Sequence, residues 1–319
     1  MKEYGGYIEL DTYRLPMLHE GAVALNCGRS CLAWLIRAKQ IRRLCIPAFL
    51  CDSVENLCWR EGVAVRHYAV GMDLLPEPLE LEPDEWLYLV NYYGQLTDAA
   101  IRSYKERYQR VMVDNSQAYF QMPAEGVDTF YTCRKFFGVA DGAFLYTDAA
   151  LDEELPRDES FGRMQFLLGR FERSASEFYS AYGANNRLFA GEPVKRMSRL
   201  TENLLHGIDY AFVRQRRTEN FRILADLFAQ QNRLTVSCPE GAFAYPLLLE
   251  NGSELRAVLA KQKIYIPTLW PNVLQTPGEN RTEWDMAANI LPLPCDQRYG
   301  KEDMEYIART VFRCMEENG

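Results

Sequence analysis

Residues 111–142 have the sequence V-M-V-D-N-S-Q-A-Y-F-Q-M-P-A-E-G-V-D-T-F-Y-T-C-R-K-F-F-G-V-A-D-G. Asp114 closes a short apolar run that predicts a buried strand, and Lys135 follows a second strand-like run at residues 129–132. Open α/β sheets bind their ligands in a crevice at the carboxyl ends of the strands. We therefore expect Asp114 and Lys135 to face one ligand-binding crevice.

A carboxylate and an amine in one crevice suit pyridoxal phosphate. A lysine can hold this cofactor as a Schiff base, and an aspartate can keep its pyridine nitrogen protonated. Both residues also have ordinary explanations, because an aspartate after a strand often caps a turn or a helix and a lysine there is commonly a solvated charge. The two residues alone leave this choice open.

The composition is that of an ordinary globular protein, with 48% hydrophobic and 25% charged residues over 319 positions. A net charge of -8 argues against a nucleic-acid partner, since phosphate binding needs a basic surface. Nine cysteines without a C-x-x-C pair indicate a reducing compartment, and no metal site is predicted. Without a signal-peptide core or an apolar run of about 18 residues, we expect a cytoplasmic protein with no membrane contact.

Strand-like and helix-like segments alternate from residue 41 to residue 114, which predicts an α/β fold with a mostly parallel, doubly wound sheet. Another strand follows Gly142. Long helices are predicted at residues 161–182 and 197–230. We expect residues 1–200 to form the major domain, and residues 201–319 to form a connecting long helix and a smaller C-terminal α+β domain, with strands within 242–249 and 263–270.

A predicted helix begins at Gly28, Arg29 and Ser30. The backbone N–H groups at a helix N-terminus, with the positive end of the helix dipole behind them, can bind an anion such as a phosphate. Taken in isolation, these residues favour ordinary N-capping by Ser30 over an anion site.

Six segments, taken in order along the chain, resemble the DegT/StrS-type sugar aminotransferases, a branch of the fold-type I pyridoxal-phosphate enzymes. The segments are L-N-C-G-R-S-C-L (25–32), C-I-P-A-F-L-C-D-S-V (45–54), N-Y-Y-G-Q-L-T-D (91–98), V-D-N-S-Q-A-Y-F (113–120), T-C-R-K-F-F-G-V-A-D-G-A (132–143) and L-P-L-P-C-D-Q-R-Y (291–299). The resemblance covers most of the chain.

The resemblance implies a role for each matching residue. Lys135 would be the Schiff-base lysine and proton shuttle, Asp114 the partner of the pyridine nitrogen, and Gln117 a neighbour of the phenolic oxygen. Ser30, with the Arg29 and Ser30 amides, would hold the phosphate, and Thr132 stands where these enzymes often have a phosphate-binding hydroxyl. Arg134 would lower the pKa of Lys135 if it faced the site, although strand alternation could turn it away.

The same resemblance implies an aminotransferase that moves an amino group from a donor such as glutamate to a keto acceptor, in relatives a nucleotide-linked sugar. It also implies a homodimer with shared sites. Two positions depart from the pattern: Cys51 replaces the aromatic residue that often stacks on the cofactor, and Val194 replaces an asparagine that reaches the partner's cofactor. A different fold-type I reaction, such as a lyase, and a non-catalytic scaffold or regulator remain alternatives.

Overall fold

The computed structural model describes residues 4–275 and 281–318 of the chain. One sheet contains seven strands, namely β1 (Val23–Leu25), β2 (Arg43–Pro47), β3 (Ala64–Tyr68), β4 (Glu85–Val90), β5 (Val111–Asp114), β6 (Asp128–Thr132) and β7 (Ala143–Tyr146). Their order across the sheet is β1-β7-β6-β5-β4-β2-β3. Strands β2 to β6 are parallel, whereas β7 is antiparallel to both β6 and β1. The predicted mostly parallel α/β sheet is therefore confirmed.

The central strands are buried along their whole length. Val111, Met112 and Val113 are each 0% exposed, and every residue of β6 is buried. Continuous apolar runs of this kind are typical of parallel strands that are covered on both faces. This burial explains why strand β5 ends where its first polar residue, Asp114, reaches the edge of the sheet.

Ten α-helices accompany the strands in the described part of the chain. They are α1 (Gly28–Ala38), α2 (Asp52–Arg60), α3 (Asp98–Tyr108), α4 (Gln165–Glu172), α5 (Tyr179–Leu188), α6 (Arg199–Leu205), α7 (Tyr210–Leu227), α8 (Gly252–Lys261), α9 (Arg281–Asn289) and α10 (Lys301–Asn318). None of the helices in residues 4–275 and 281–318 has the length and hydropathy that crossing a membrane requires.

Both long helices predicted from the sequence are interrupted, so these two predictions were wrong. The segment 161–182 contains α4 and the start of α5, separated where Arg173 leaves the helical conformation with φ -132° and ψ -101°. The segment 197–230 contains α6 and α7, because Gly207 follows the end of α6 and the Asp209 carboxylate caps α7 by accepting the Phe212 N–H at 3.0 Å.

The C-terminal part contains a two-stranded antiparallel sheet of β8 (Tyr245–Leu248) and β9 (Ile290–Leu293). Apolar residues of α7, α8, α10 and both strands form a cluster of their own around it. The strand predicted at 263–270 was wrong, since this segment has no strand pairing. Its alternating residues Ile264 and Ile266 are buried all the same, which explains why the pattern resembled a strand.

Candidate active site

The residues predicted for the site converge because of strand direction. Strand β1 is antiparallel to β7, which is antiparallel to β6, so β1 points the same way as the parallel strands. The carboxyl ends of β1, β2, β5 and β6 therefore lie at one edge of the sheet. This edge carries the start of α1 after β1, Cys51 after β2, Asp114 at the end of β5, and Thr132 and Lys135 at and after the end of β6.

Asp114 is held in a fixed orientation inside the sheet edge. It is 8% exposed. Its Oδ2 accepts a hydrogen bond from the Tyr88 hydroxyl at 2.7 Å, and its Oδ1 accepts one from the Ser116 N–H at 2.8 Å. Each carboxylate oxygen keeps a second lone pair for a ligand. Asp114 thus closes the turn at Ser116 and is held as an acceptor of fixed orientation.

Lys135 lies in a tight turn that follows β6. The N–H groups of Phe136 and Phe137 both donate to the Cys133 carbonyl oxygen, each at 2.9 Å. The lysine is accessible to solvent, yet protein surrounds it closely enough for desolvation to lower its pKa. A side chain that is both accessible and enclosed lies on the wall of a crevice. Its Nζ is 5.5 Å from the centroid of the Phe243 ring.

Three neighbouring groups act on the pKa of Lys135 besides burial. Burial lowers this pKa most, Asp114 and Cys51 raise it, and the positive charge of Arg134 lowers it further. The net direction is downward. The structure therefore brings Lys135, Asp114 and Cys51 within electrostatic reach of one another.

Arg134 points away from Lys135 although its charge is felt there. Its Nη1 donates to Asn186 Oδ1 at 2.5 Å, and its guanidinium carbon lies 4.5 Å from the centroid of the Phe189 ring. Burial lowers the pKa of Arg134, and the nearby Arg29 adds to this lowering. Arg134 therefore packs against the α5 segment and influences the lysine through its charge alone.

Three further predicted site residues lie at this end of the sheet, and they differ in their hydrogen bonds: Gln117, Thr132 and Cys51. Gln117 is 3% exposed, and its Oε1 accepts the Tyr93 N–H at 2.8 Å, which leaves its Nε2 without a partner among the described residues. The Thr132 hydroxyl likewise has no hydrogen bond within the described chain. Cys51 is half-buried, and its Sγ is 3.0 Å from Ser53 Oγ at the start of α2. Gln117 and Thr132 are therefore free to bind a ligand.

The first turn of α1 supplies unpaired N–H groups. Neither Gly28 nor Arg29 has a hydrogen-bond partner for its N–H among the residues described, as expected at a helix N-terminus. Ser30 differs, because its N–H donates to the Cys27 carbonyl at 3.0 Å and its hydroxyl donates to Asn26 Oδ1 at 2.6 Å. The free donors of this turn are thus Gly28 and Arg29, whereas both polar groups of Ser30 are already bound.

The chain makes a buried corner at Asp141 and Gly142, after the turn that carries Lys135, and neighbouring segments hold this corner in place. Gly142 has φ +114°, and a methyl group there would lie 3.0 Å from Thr201 Cγ2. Its N–H donates to the Asn26 carbonyl at 2.6 Å. Asp141 is 0% exposed and accepts hydrogen bonds from the Ser198 N–H and hydroxyl, at 2.8 and 2.7 Å, and from the Thr201 hydroxyl.

The segment that contains Val194 runs beside the chain's own α1 turn. The Asn26 N–H donates to the Lys195 carbonyl at 3.0 Å, and the Met197 N–H donates to the Ala24 carbonyl at 3.2 Å. Val194 is buried and lines a cavity of about 220 Å³ next to this turn. A valine offers no hydrogen bond, so this segment shapes the turn by packing.

Sequence reasoning missed two side chains of the site, Tyr88 and Phe243. Tyr88 lies within an apolar strand, and nothing but its position along that strand could have indicated a role in the site. Strand β4 pairs with β5 so that Tyr88 lies opposite Met112, which is two residues before Asp114. Phe243 is more than a hundred residues from Lys135, and no local pattern connects them. In the described parts of the chain, no group of three or more His, Cys, Asp or Glu side chains is arranged to hold a metal ion.

The fold is shared by solved aminotransferases. PseC of Helicobacter pylori, an aminotransferase involved in the biosynthesis of pseudoaminic acid, is 14% identical, with a TM-score of 0.67 over 93% of this chain and 87% of that one. A DegT DnrJ EryC1 StrS aminotransferase from Brucella abortus is 13% identical, with a TM-score of 0.59 over 92% and 85%. NtdA from Bacillus subtilis with bound cofactor PMP is 12% identical, with a TM-score of 0.65 over 92% and 73%.

The TM-scores of 0.59 to 0.67 show a shared fold, and the aminotransferase fold implied by the sequence resemblance is therefore confirmed. No family model matches the sequence, and no curated protein sequence does so either.

Proposed function

We propose that this protein is a pyridoxal-phosphate-dependent aminotransferase. The observation that carries the proposal is the pairing of Lys135 and Asp114. An amine whose pKa is lowered by burial lies within electrostatic reach of a carboxylate that two hydrogen bonds hold at the end of the adjacent strand. Aminotransferases share the fold, and NtdA, which also shares it, holds PMP, the amino form of pyridoxal phosphate; both findings support the same chemistry here.

The chemistry of the available groups fits the cofactor ring. We assign Lys135 to the covalent link and Asp114 to the pyridine nitrogen, where a carboxylate keeps the ring protonated. Gln117 has a free Nε2 donor for the phenolic oxygen. Cys51 stands where an aromatic residue would stack, and its compact, polarisable thiol would contact the ring instead.

The first turn of α1 fits the phosphate. Two unpaired N–H groups, those of Gly28 and Arg29, point outward from the positive end of a helix, which is a favourable place for an anion. Thr132 offers a free hydroxyl. Ser30 can join them only if its hydroxyl leaves Asn26, so we give it the smaller share of the phosphate contacts.

When bound, the cofactor supplies an electron sink for the bond that breaks at the donor's α-carbon. Lys135 is the group that takes the proton from that carbon and returns it. A lysine does this work only as the neutral amine, and the lowered pKa increases the neutral fraction at a given pH. The fixed orientation of Asp114 maintains the position of the ring relative to this amine.

The substrates we propose are an amino acid donor, such as glutamate, and a keto acceptor, with a nucleotide-linked keto sugar as the first compound to test. The support is the fold shared with the pseudoaminic acid pathway enzyme and its relatives.

We also propose a homodimer. Large apolar side chains of the segment 161–188 are exposed, namely Phe161 (77%), Leu168 (61%), Phe171 (91%) and Tyr179 (71%). Such a concentration of exposed apolar surface is expected where a partner covers it, and a second copy of the chain is the partner we propose. Sedimentation of the wild-type protein and of Phe171→Ser tests this, with a shift toward monomer expected in the variant. A wild-type monomer that binds the cofactor fully contradicts it.

Two further assignments complete the proposal. Eight cysteines are free thiols, namely Cys27, Cys31, Cys45, Cys51, Cys58, Cys133, Cys238 and Cys295, which supports a reducing compartment such as the cytoplasm. We assign residues 1–200 to the cofactor-binding major domain of a doubly wound fold. Residues 201–319 are assigned to the connecting helices and a C-terminal α+β domain, supported by the separate cluster around β8 and β9.

The experiment that tests the function is the first half-reaction. Protein loaded with pyridoxal phosphate is mixed with glutamate and other amino acids, and the visible absorption of the lysine-bound cofactor and the released keto acid are measured. An aminotransferase loses the absorption and forms one keto acid per site. Release of ammonia with the absorption retained indicates a lyase, and inertness toward every donor indicates a scaffold or regulator. Either of these results overturns the proposal.

A further inference from the structure

Arg217 of α7 is a buried cation without an ion-pair partner among the described residues. It is 2% exposed, and all its hydrogen bonds go to neutral oxygens. Its Nε donates to Gln297 Oε1 at 2.7 Å, its Nη1 to the carbonyls of Ala242 at 2.9 Å and Phe243 at 3.4 Å, and its Nη2 to the Phe136 carbonyl at 3.1 Å. One guanidinium thus joins three separate parts of the chain.

Burying a charged group costs free energy unless hydrogen bonds replace its hydration. The guanidinium is planar and its donors have fixed directions, so its acceptors must keep fixed positions relative to one another. The aromatic face of Phe136, whose centroid is 4.6 Å from the Arg217 guanidinium carbon, adds a cation–π contact. Arg217 is therefore suited to fixing geometry at this junction.

Two of the three parts joined by Arg217 position Lys135. The Phe136 carbonyl, directly after the lysine, accepts hydrogen bonds from both Arg217 and Gln297, the latter from Nε2 at 2.8 Å. The Phe243 carbonyl belongs to the residue whose ring lies 5.5 Å from Lys135 Nζ. We call Arg217 and Gln297, with these hydrogen bonds, the clasp. The clasp fixes the turn that carries Lys135 and the Phe243 ring against which the Lys135 amine lies.

We propose that Arg217 and Gln297 are positioning residues for Lys135, which keep its amine enclosed between the turn after β6 and the Phe243 ring. The proposal rests on the proposed function only in naming Lys135 as the reacting group. Loosening the clasp would let the Phe243 ring and the turn move apart, so the amine would lose part of its enclosure and become more hydrated. The charged and titratable groups that act on Lys135 are Asp114, Cys51 and Arg134, and none of them is hydrogen-bonded to Arg217 or Gln297.

The test measures the reactivity of Lys135 in the cofactor-free protein. Trace acetylation with acetic anhydride over a range of pH, quantified for this lysine by mass spectrometry, gives the pH midpoint of its ionisation. In Arg217→Lys, which keeps a charge but loses the planar fork, and in Gln297→Ala, we expect the midpoint to rise by about one pH unit, since less desolvation favours the charged amine.

Asn289→Ala is the matched control. Asn289 is buried, its Nδ2 donates to Asp285 Oδ1 at 2.7 Å and its Oδ1 accepts the Ser253 N–H at 3.1 Å, so it joins the end of α9 to the start of α8 without bonding to the turn of Lys135 or to Gln297. The control is expected to destabilise the fold and leave the midpoint unchanged.

The proposal is overturned if the folded variants keep the wild-type midpoint, or if Asn289→Ala moves it equally. Should Arg217→Lys fail to fold, Gln297→Ala decides, because Gln297 is only partly buried and its loss is tolerable. The outcome is separate from the proposed function, because the labelling uses protein without cofactor. Wild-type protein that labels as expected but never binds the cofactor overturns the function and leaves the positioning role standing.

Discussion

The Tyr88 hydroxyl donates a hydrogen bond of 2.7 Å to Asp114 Oδ2 between two neighbouring parallel strands. Tyr88 is 1% exposed, and burial together with the nearby Asp114 carboxylate raises the pKa of its phenol well above the ordinary value. The phenol therefore stays protonated and donates throughout the working pH range. With the Ser116 N–H on the other oxygen, this bond sets the direction in which Asp114 faces the crevice.

Tyr88→Phe is expected to weaken cofactor binding about tenfold or more. A hydrogen bond to a charged group contributes about 1.5–3 kcal/mol, and without it the carboxylate loses its fixed orientation. Titration with pyridoxal phosphate, followed by the visible absorption of the lysine-bound form, measures the change. Tyr108→Phe removes an equivalent hydroxyl, which bonds to the Leu79 carbonyl far from the site, and should bind as the wild type does. Equal affinities for the Tyr88 variant and the wild type would contradict the role.

Much of this geometry could be predicted from the sequence, and the limits have physical causes. Asp114 and Lys135 each follow an apolar run, and strand polarity carries such residues to one edge of the sheet. Tyr88 reaches Asp114 through strand register, which one strand's pattern does not encode. Phe243 and Arg217 reach Lys135 through tertiary packing, for which a local pattern contains no information.

The prediction of a single helix over residues 161–182 was wrong for a related reason. The apolar spacing of residues 161–182 continues through the break at Arg173, so periodicity predicted one helix where the structure has two. Apolar spacing indicates which side chains could share one face of a helix, whereas the backbone path between them depends on the segments that pack against it.

His19 is expected to make stability depend on pH. Its ring is 0% exposed, stacks on Tyr131 with centroids 4.1 Å apart, and bonds to the Tyr119 carbonyl at 2.9 Å and the Tyr146 hydroxyl at 3.2 Å. Burial lowers its pKa from 6.5 to about 4. Below pH 6.5 the unfolded chain takes up a proton that the folded protein does not. The free energy of unfolding therefore decreases as the pH is lowered from about 6.5. It is about 2 kcal/mol smaller at about pH 5 and levels off below about pH 4.

Urea unfolding of the wild type and of His19→Gln, at neutral pH and at about pH 5, checks this prediction. The amide of glutamine keeps a donor and an acceptor but does not titrate, so the variant should lose this part of the pH dependence. His67→Gln serves as the control, because the His67 side chain is 44% exposed. An unchanged pH dependence in His19→Gln would exclude His19 as its source.

Gly142→Ala is expected to destabilise the protein by about 2 kcal/mol. Residue 142 has φ +114°, and an added methyl group would lie 3.0 Å from Thr201 Cγ2 and 3.1 Å from Cys133 Sγ. Gly162→Ala is the matched control, since no atom lies within 4 Å of its added methyl group. Chemical denaturation compares them, and equal stabilities of the two variants would show that the corner tolerates a side chain.

The covalent link at Lys135 is the central claim, and one measurement addresses it directly. The protein is incubated with pyridoxal phosphate, reduced with borohydride, and digested for mass spectrometry, alongside Lys135→Ala and the surface control Lys261→Ala. We predict one cofactor per chain, attached at Lys135, retained in Lys261→Ala and lost in Lys135→Ala together with the visible absorption. Attachment at another lysine, or absorption that survives in Lys135→Ala, would contradict the account.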